Sequence, residues 1–302
     1  MKKRLFIFAG YDKDSIADAT LLHYLNALSK LGDIVFVMDT DLPASELSKI
    51  TEIPNILYAA TKRHGEYDFG SYKRGYIWAR DNKLLSKYEW TYLVNDSVYG
   101  PLWDIDNVLT DLESRDADMT GLVMTDNPYL PQSLQSWFIG ANKKIATAPF
   151  FDEFMTNITH QETKSQVVLK YEVRLSRIVL SHGYKIAALY HDKMTENTSI
   201  VYDNPKVILD FGIPFVKKMA IKHKTQIEYL LPYTTDEIID NILSHAMRHN
   251  CPDKIPYQNI YSLRFCGLPI YSIKSHHTMW GSTDYKICLF GKIPFVKIMK
   301  VQ

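Results

Sequence analysis

A chain of 302 residues, 46% hydrophobic and 23% charged, is long enough to close a sizeable core and too apolar to stay disordered. With 35 basic against 34 acidic residues the net charge is +1, so no overall field selects nucleic acid as a partner. Three cysteines, Cys251, Cys266 and Cys288, are an odd number without metal-ligand spacing, which argues against a disulfide framework or a zinc site and suits a reducing cytoplasm.

The first apolar run, Leu5 to Ala9, follows a basic Met1-Lys2-Lys3-Arg4 in the manner of a signal peptide. It is short, however, and Tyr11-Asp12-Lys13-Asp14 ends it without a cleavage site, so it reads as a buried strand. Ile16, Ala19, Leu22, Leu25 and Leu28 keep helical spacing in a helix over 15–31 that Gly32 stops. Ile34 to Met38 is a second strand, and the β-α-β opening predicts a mainly parallel sheet. A short helix over 44–50, a strand over 56–59, a glycine-punctuated loop over 63–71 and a helix over 72–88 follow. Trp90 to Val94, aromatic and β-branched, form a buried central strand that ends at Asn95-Asp96-Ser97, just before the chain-breaking Tyr99-Gly100-Pro101.

Beyond it the pattern predicts a helix over 105–114, strands over 119–124 and 134–139, and a helix beginning at 149. A further helix over 171–183 carries Leu175, Ile178 and Val179 on one side and is stopped by Gly183; a strand over 184–189 completes the core. After residue 203 prolines become frequent, and one helix stands out, over 235–247, announced by Thr234 or Thr235 with Glu237 as a capping box. The expected division is a core of residues 1–203 and a C-terminal extension of residues 204–302. Phe211-Gly212-Ile213-Pro214-Phe215-Val216-Lys217 and Phe290-Gly291-Lys292-Ile293-Pro294-Phe295-Val296-Lys297 are nearly one phrase written twice, too few copies for a stacked-repeat protein. Such a phrase suits contact with a membrane surface through snorkelling lysines, or plain surface packing. No stretch approaches the apolar length of a membrane span.

Acidic residues recur at predicted strand ends: Asp12, Asp39 with Asp41, Asp68 and Asp96. In open α/β sheets ligands bind at the carboxyl ends of strands, so these would share one rim. Asp96 suits a divalent cation that carries a pyrophosphate, and Asp39 suits a ribose or base. The plainer reading of Asn95-Asp96-Ser97 is an Asx-type turn that satisfies its own backbone. Ala9-Gly10-Tyr11-Asp12 carries no GxGxxG, and neither a Walker motif nor GxSxG is present. Glu172, at the predicted start of a helix at Tyr171, reads either as an acid favoured by the helix dipole or as a general base.

Tyr67-Asp68-Phe69-Gly70-Ser71-Tyr72-Lys73, Val94-Asn95-Asp96-Ser97-Val98-Tyr99-Gly100-Pro101, Leu134-Gln135-Ser136-Trp137-Phe138, then Glu172 with Leu175-Ser176 and Gly183-Tyr184, resemble in order the rhamnan synthesis protein F family across roughly residues 5 to 218. Those bacterial proteins of rhamnan, O-antigen and capsule assembly are regarded as glycosyltransferases, and the same order of motifs is similar to inverting enzymes of the GT-A type. The resemblance implies an α/β, GT-A-like nucleotide-binding domain whose mainly parallel central sheet is flanked by helices. It implies Glu172 as catalytic base, and Tyr11, Asp12, Asp39, Gly65, Asp68, Lys73, Asn95 and Asp96 around a nucleotide-sugar donor. Gln135, Ser136 and Trp137 would meet the acceptor, and Asp96 would hold Mn²⁺ or Mg²⁺.

Two departures stand out. Asn95-Asp96-Ser97 offers one carboxylate where a DxD motif offers two, and Tyr171-Glu172-Val173 has one acid where related enzymes have two. If no metal serves, Lys73 and Arg74 are the nearest cations. The partners implied are the nucleotide sugar and a glycan or lipid-linked glycan, with a cytoplasmic location, peripheral at the inner face of the membrane. Two alternatives stay open: a catalytically silent glycan-binding or assembly subunit, and a nucleotidyltransferase.

Overall fold

The computed structural model describes residues 4–127, 130–194, 199–249, 258–265, 268–277, 283–289 and 293–300. Its organising element is an eight-stranded sheet. One half is parallel: β1 (Arg4–Gly10), β2 (Asp33–Met38), β3 (Ile56–Thr61) and β4 (Trp90–Asn95) pair in the order β3-β2-β1-β4. α1 (Ala19–Ser29), α2 (Ala44–Thr51) and α3 (Tyr67–Asp81) make the connections. Every residue of β1 and of β4 is buried, which explains why both read as unbroken apolar runs with no alternation. α3 begins five residues before the expected start, so Asp68 lies in its first turn. It packs so closely on the sheet that a Cβ on Gly75 would come within 2.5 Å of the Ile7 side chain.

The other half reverses direction. After β5 (Val98–Tyr99) and α4 (Asp106–Ser114) come β6 (Met119–Asn127), β7 (Leu130–Leu134) and β8 (Phe138–Asn142). β8 runs antiparallel to both β4 and β6, and β7 antiparallel to β6. The single strand expected over 134–139 is therefore two strands, separated by residues 135–137. The sequence pattern hid this break, in which the buried polar residues Gln135 and Ser136 bond by side chain to Thr125 of β6 and to Glu172.

α5 (Lys143–Ala146), α6 (Pro149–Thr156), α7 (Lys164–Val167) and α8 (Arg174–Ser181) follow, and β9 (Ile186–Lys193) returns parallel to β6. α7, a π-helical turn over Val168–Val173 and α8 are consecutive. The helix expected to open at residue 171 thus begins at Lys164, where Thr163 and Gln166 form a reciprocal capping box. Glu172 consequently stands inside the π-helical turn and not on a first turn.

Even-numbered residues of β1, Phe6 and Phe8, face one apolar core with Leu21, Leu25 and Leu109; Leu5 and Ile7 face a second with Tyr72, Phe151 and Leu175. This is an α/β fold whose mainly parallel central sheet is flanked by helices, as the resemblance implies.

Past β9 the chain forms α9 (Ile200–Asp203), α10 (Pro205–Asp210), β10 (Val216–Lys217) and α11 (Asp236–Arg248), the last capped by the Thr235 hydroxyl. β10 pairs with β5, and a third apolar cluster joins Tyr99 and Leu102 to Ile221, Leu230 and Ile242. β11 (Gln258–Phe265), β12 (Leu268–His277), β13 (Thr283–Leu289) and β14 (Ile293–Lys300) then form a four-stranded antiparallel meander, which the sequence pattern did not predict. Pro269 and Pro294 lie within its strands, beside register shifts, and prolines there argue against a strand reading. Cys251, Cys266, Pro252, Pro256 and residues 290–292 of the second phrase lie outside the described residues. Among the described residues no helix is long and apolar enough to cross a membrane.

Candidate active site

At the carboxyl ends of β1, β2 and β4 opens a cavity of about 770 Å³, lined by Tyr11, Asp39, Gly65, Asp68, Asn95, Asp96, Gln135, Ser136, Trp137 and Glu172 among others. Tyr11, Asp39 and Asn95-Asp96 meet because parallel strands deliver their carboxyl ends to one rim, while residues 135–137 enter from the loop between β7 and the antiparallel β8, and Glu172 from the π-helical turn. Asp12 and Lys73 do not line it.

Four side chains in a row tie the floor together. Lys217 Nζ donates to Ser97 Oγ at 3.0 Å, Ser97 Oγ donates to Asn95 Oδ1 at 2.6 Å, and Asn95 Nδ2 donates to Asp68 Oδ2 at 3.0 Å. Ser97 N–H also donates to Asn95 Oδ1, the Asx-type bond that short polar residues make after a strand. Asp96 Oδ2 accepts from Tyr11 N–H at 3.0 Å, and Oδ1 has no hydrogen bond among the described residues. Burial pushes the Asp96 carboxyl up, against the pull of Lys218 and the Tyr11 amide, and burial likewise pushes up Asp68.

On the opposite wall Glu172 Oε2 accepts from Ser136 N–H at 2.7 Å and from Ser136 Oγ at 2.5 Å. The π-helical turn aims this carboxylate at the 135–137 loop, and such turns recur at functional sites. Burial raises the Glu172 pKa; the two Ser136 bonds and Lys217 draw it back, while Asp68 adds to the rise. Oε1 has no hydrogen-bond partner among the described residues. A carboxylate held above its ordinary range, with one oxygen free, has the properties of a general base.

Asp39 is 6% exposed, and its Oδ1 accepts from the His64 and Gly65 amides at 2.6 and 2.9 Å. It thereby fixes the turn at Gly65, whose φ of +70° favours glycine. Tyr11, 49% exposed, has the Arg63 guanidinium 5.0 Å from its ring centroid, so the rim beside Asp39 offers a flat aromatic and cationic ledge. Trp137 is buried, donates from Nε1 to Gln135 Oε1 at 2.8 Å, and carries the Lys217 ammonium 5.0 Å from its ring centroid. Gln135 Nε2 donates to Thr125 Oγ1 at 3.2 Å.

The two residues away from the cavity have other partners. Asp12 takes a bidentate grip from Arg248, at 2.9 and 2.6 Å; burial alone would raise its pKa, and Arg248 with the Asp14 amide brings it below the usual carboxylate range. Lys73 Nζ donates to the Ile158 carbonyl at 2.7 Å, and Arg74 pairs with Glu66 at 2.5 Å. The cavity's cations are instead Arg63, Lys164 and Lys217, with His160 nearby. Sequence reasoning missed all four. The only signal for Lys217 was its place closing the phrase Phe211 to Lys217.

A divalent ion here would take oxygen ligands from protein, phosphate and water. Asp96 supplies one free oxygen, Asn95 and Ser97 bond to each other, and a lysine ammonium occupies the same cavity. Among the described residues no group of three or more His, Cys, Asp or Glu side chains gathers that could hold a metal. The donor set does not fit an ion held chiefly by the protein.

The rhamnan synthesis protein F model matches residues 34–293. A relative from Sinorhizobium fredii (strain NBRC 101917 / NGR234), the uncharacterized protein y4gN, is 24% identical over 208 residues, 67% of this chain and 53% of its own. The chain thus spans about half the length of that curated relative. Among solved structures, the glycosyltransferase GlyE of Streptococcus pneumoniae TIGR4 is 13% identical with a TM-score of 0.40, covering 86% of this chain and 67% of its own. S. aureus TarS 1-349 is 12% identical with a TM-score of 0.33, covering 89% and 96%. Core-mannan synthase A from Aspergillus fumigatus, in an Mn/GDP form, is 9% identical with a TM-score of 0.29, covering 51% and 63%.

Proposed function

The chain belongs to the rhamnan synthesis protein F family, and on that premise we propose that it is a nucleotide-sugar-dependent glycosyltransferase building a bacterial surface polysaccharide. The observation that carries the reading is that Asp39, Asp96 and Glu172, from three distant segments, line one cavity of about 770 Å³. That is room for a nucleotide sugar with an acceptor hydroxyl beside it.

In the proposed reaction the Tyr11–Arg63 ledge and Asp39 receive the nucleoside, and Asp68 and Asn95 face the sugar. Glu172 Oε1 takes the proton of an acceptor hydroxyl as that oxygen bonds to the anomeric carbon. The anomeric bond to the diphosphate breaks, and its electron pair leaves with the nucleoside diphosphate. Ser136 fixes the base through two hydrogen bonds to Oε2 and leaves Oε1 for the proton. Gln135, Ser136 and Trp137 are proposed to border the acceptor. The family name suggests rhamnose as the sugar, and a glycan or lipid-linked acceptor at the cytoplasmic face of the inner membrane. The extension proposed to begin at residue 204 contributes Lys217 to the cavity, so the proposed boundary at residue 203 separates two segments that build one site.

Replacing Glu172 by Gln keeps the shape and removes the base. Transfer is expected to fall by about 10²- to 10⁴-fold, the usual worth of such a group, with nucleotide-sugar affinity nearly unchanged. Full activity in Glu172→Gln would remove it from the mechanism. The single carboxylate at Asp96 also suits a silent glycan-binding subunit; titration with dTDP-, UDP- and GDP-sugars separates the two, because a silent subunit binds none.

A further inference from the structure

The floor of the cavity holds a buried cation, Lys217, at the end of the hydrogen-bonded row that runs through Ser97 and Asn95 to Asp68. Lys217 is 8% exposed, an unusual burial for a lysine, yet among the described residues it forms no ion pair with a carboxylate. Its ammonium rests on the Trp137 face at 5.0 Å and donates to Ser97 Oγ at 3.0 Å. Of its three donors, one is thereby used among the described residues, and the others border the cavity.

The backbone around it is arranged to bring it there. β10 pairs with β5 through Val216 with Tyr99 and Lys217 with Val98, and Lys218 N–H donates to Ser97 O at 3.0 Å. The close approach depends on Gly100, at φ +130°, where a Cβ would lie 2.5 Å from the Pro214 carbonyl oxygen. A lysine on this strand therefore abuts the same Asn95-Asp96-Ser97 turn that a metal would use, and it does so where only one carboxylate is offered.

We propose that the Lys217 ammonium, and not a divalent ion, is the cation that receives the donor's diphosphate. The proposal rests on the glycosyltransferase reading and names the group that steadies its leaving group. As the anomeric bond breaks and its electron pair moves to the diphosphate oxygen, the fixed ammonium neutralises the charge that develops there. Ser97 Oγ keeps it in position, and the Trp137 ring beneath favours the charged form. Burial lowers the Lys217 pKa to about 7, Glu172 and Asp68 draw it back up and Lys164 lowers it further, so in the free protein the ammonium gives up its proton readily and an arriving diphosphate stabilises the charged form.

The test is calorimetric binding of dTDP, UDP and GDP to the full chain, in EDTA and then in Mn²⁺. At least one nucleoside diphosphate is expected to bind in EDTA with an affinity that Mn²⁺ changes by less than about threefold. Lys217→Met should weaken it about 10- to 100-fold, the range for losing one charge-assisted hydrogen bond, and Lys217→Arg should restore most of the loss. Binding that appears only with Mn²⁺ overturns the role of Lys217 and leaves the glycosyltransferase reading standing. So does a folded Lys217→Met that binds as wild type in EDTA. Absence of binding under both conditions overturns the reading itself. The comparison of EDTA with Mn²⁺ uses unaltered protein, so it decides whether a divalent ion is needed even if Lys217→Met fails to fold, and Lys217→Gln then reads the lysine's own share against Arg63 and Lys164.

Discussion

Glu172 and Lys217 lie in one cavity and their charges act on each other, yet the proposed chemistry asks opposite things of them: Glu172 must be without its proton and Lys217 must keep its own. Burial raises the first above the ordinary carboxylate value of 4.5, so activity is expected to climb as pH rises through that shifted value. Burial lowers the second to about 7, so in the free protein the ammonium is lost as pH rises through about 7. Because kcat/KM reports the free protein, its pH profile should be a bell with an alkaline limb near 7. Lys217→Arg, whose guanidinium stays charged, should move that limb out of range. An unchanged alkaline limb in this variant would assign it to another group. Much of the floor around Lys217 was legible, because acids and amides after apolar strands, such as Asn95 and Asp96, stand out by composition alone. Lys217 was not. It reaches Ser97 across 120 residues of sequence through a two-residue strand, too short to leave a periodic trace.

Helix α11 is fastened to the parallel half of the sheet by a charge cluster just outside the cavity, beside Tyr11. Arg248, near its carboxyl end, bonds Asp12 in bidentate fashion and also Asp14 and Asp18, the last of which caps α1. Asp12 is 7% exposed, so removing Arg248 would leave a carboxylate buried without its partner. Arg248→Met is expected to cost about 3 kcal/mol in urea unfolding, and adding Asp12→Asn should recover much of it. Equal losses in the single and double variants would mean that the arginine acts by packing alone. Here the sequence was legible in part. The helix was announced by its capping residue Thr235 and its apolar spacing, but Arg248 at its end carried no sign that its partner lay 236 residues away. The same limit explains α7: the sequence carries a capping box at Thr163, yet the apolar spacing points to a start at Tyr171, so the π-helical turn that aims Glu172 leaves no trace in the pattern. Its extra residue per turn is a local irregularity that no apolar period of 3.6 can show.

At the scale of the whole chain, the described residues that line the cavity run from Ala9 to Lys217, and the last link to the site's surroundings is Arg248. The meander of β11 to β14 comes after both. Residues 209 to 246 also complete the third apolar cluster around Tyr99 and Leu102, beside the turn that carries Asp96. Two shortened chains should therefore behave differently. A chain of residues 1–249 keeps Lys217, the third cluster and the grip on Asp12, and is expected to bind a nucleoside diphosphate within about threefold of the full-length value. A chain of residues 1–203 loses all three, exposes Tyr99 and Leu102, and is expected to melt lower and to lose that binding. Thermal melting with and without the nucleotide reads both, since ligand at 100 times its Kd adds about 2.7 kcal/mol to a chain that binds it and nothing to one that does not. Full binding by residues 1–203 would show that the cavity needs neither β10 nor its lysine. Lost binding in a well-folded chain of residues 1–249 would assign part of the site to the meander.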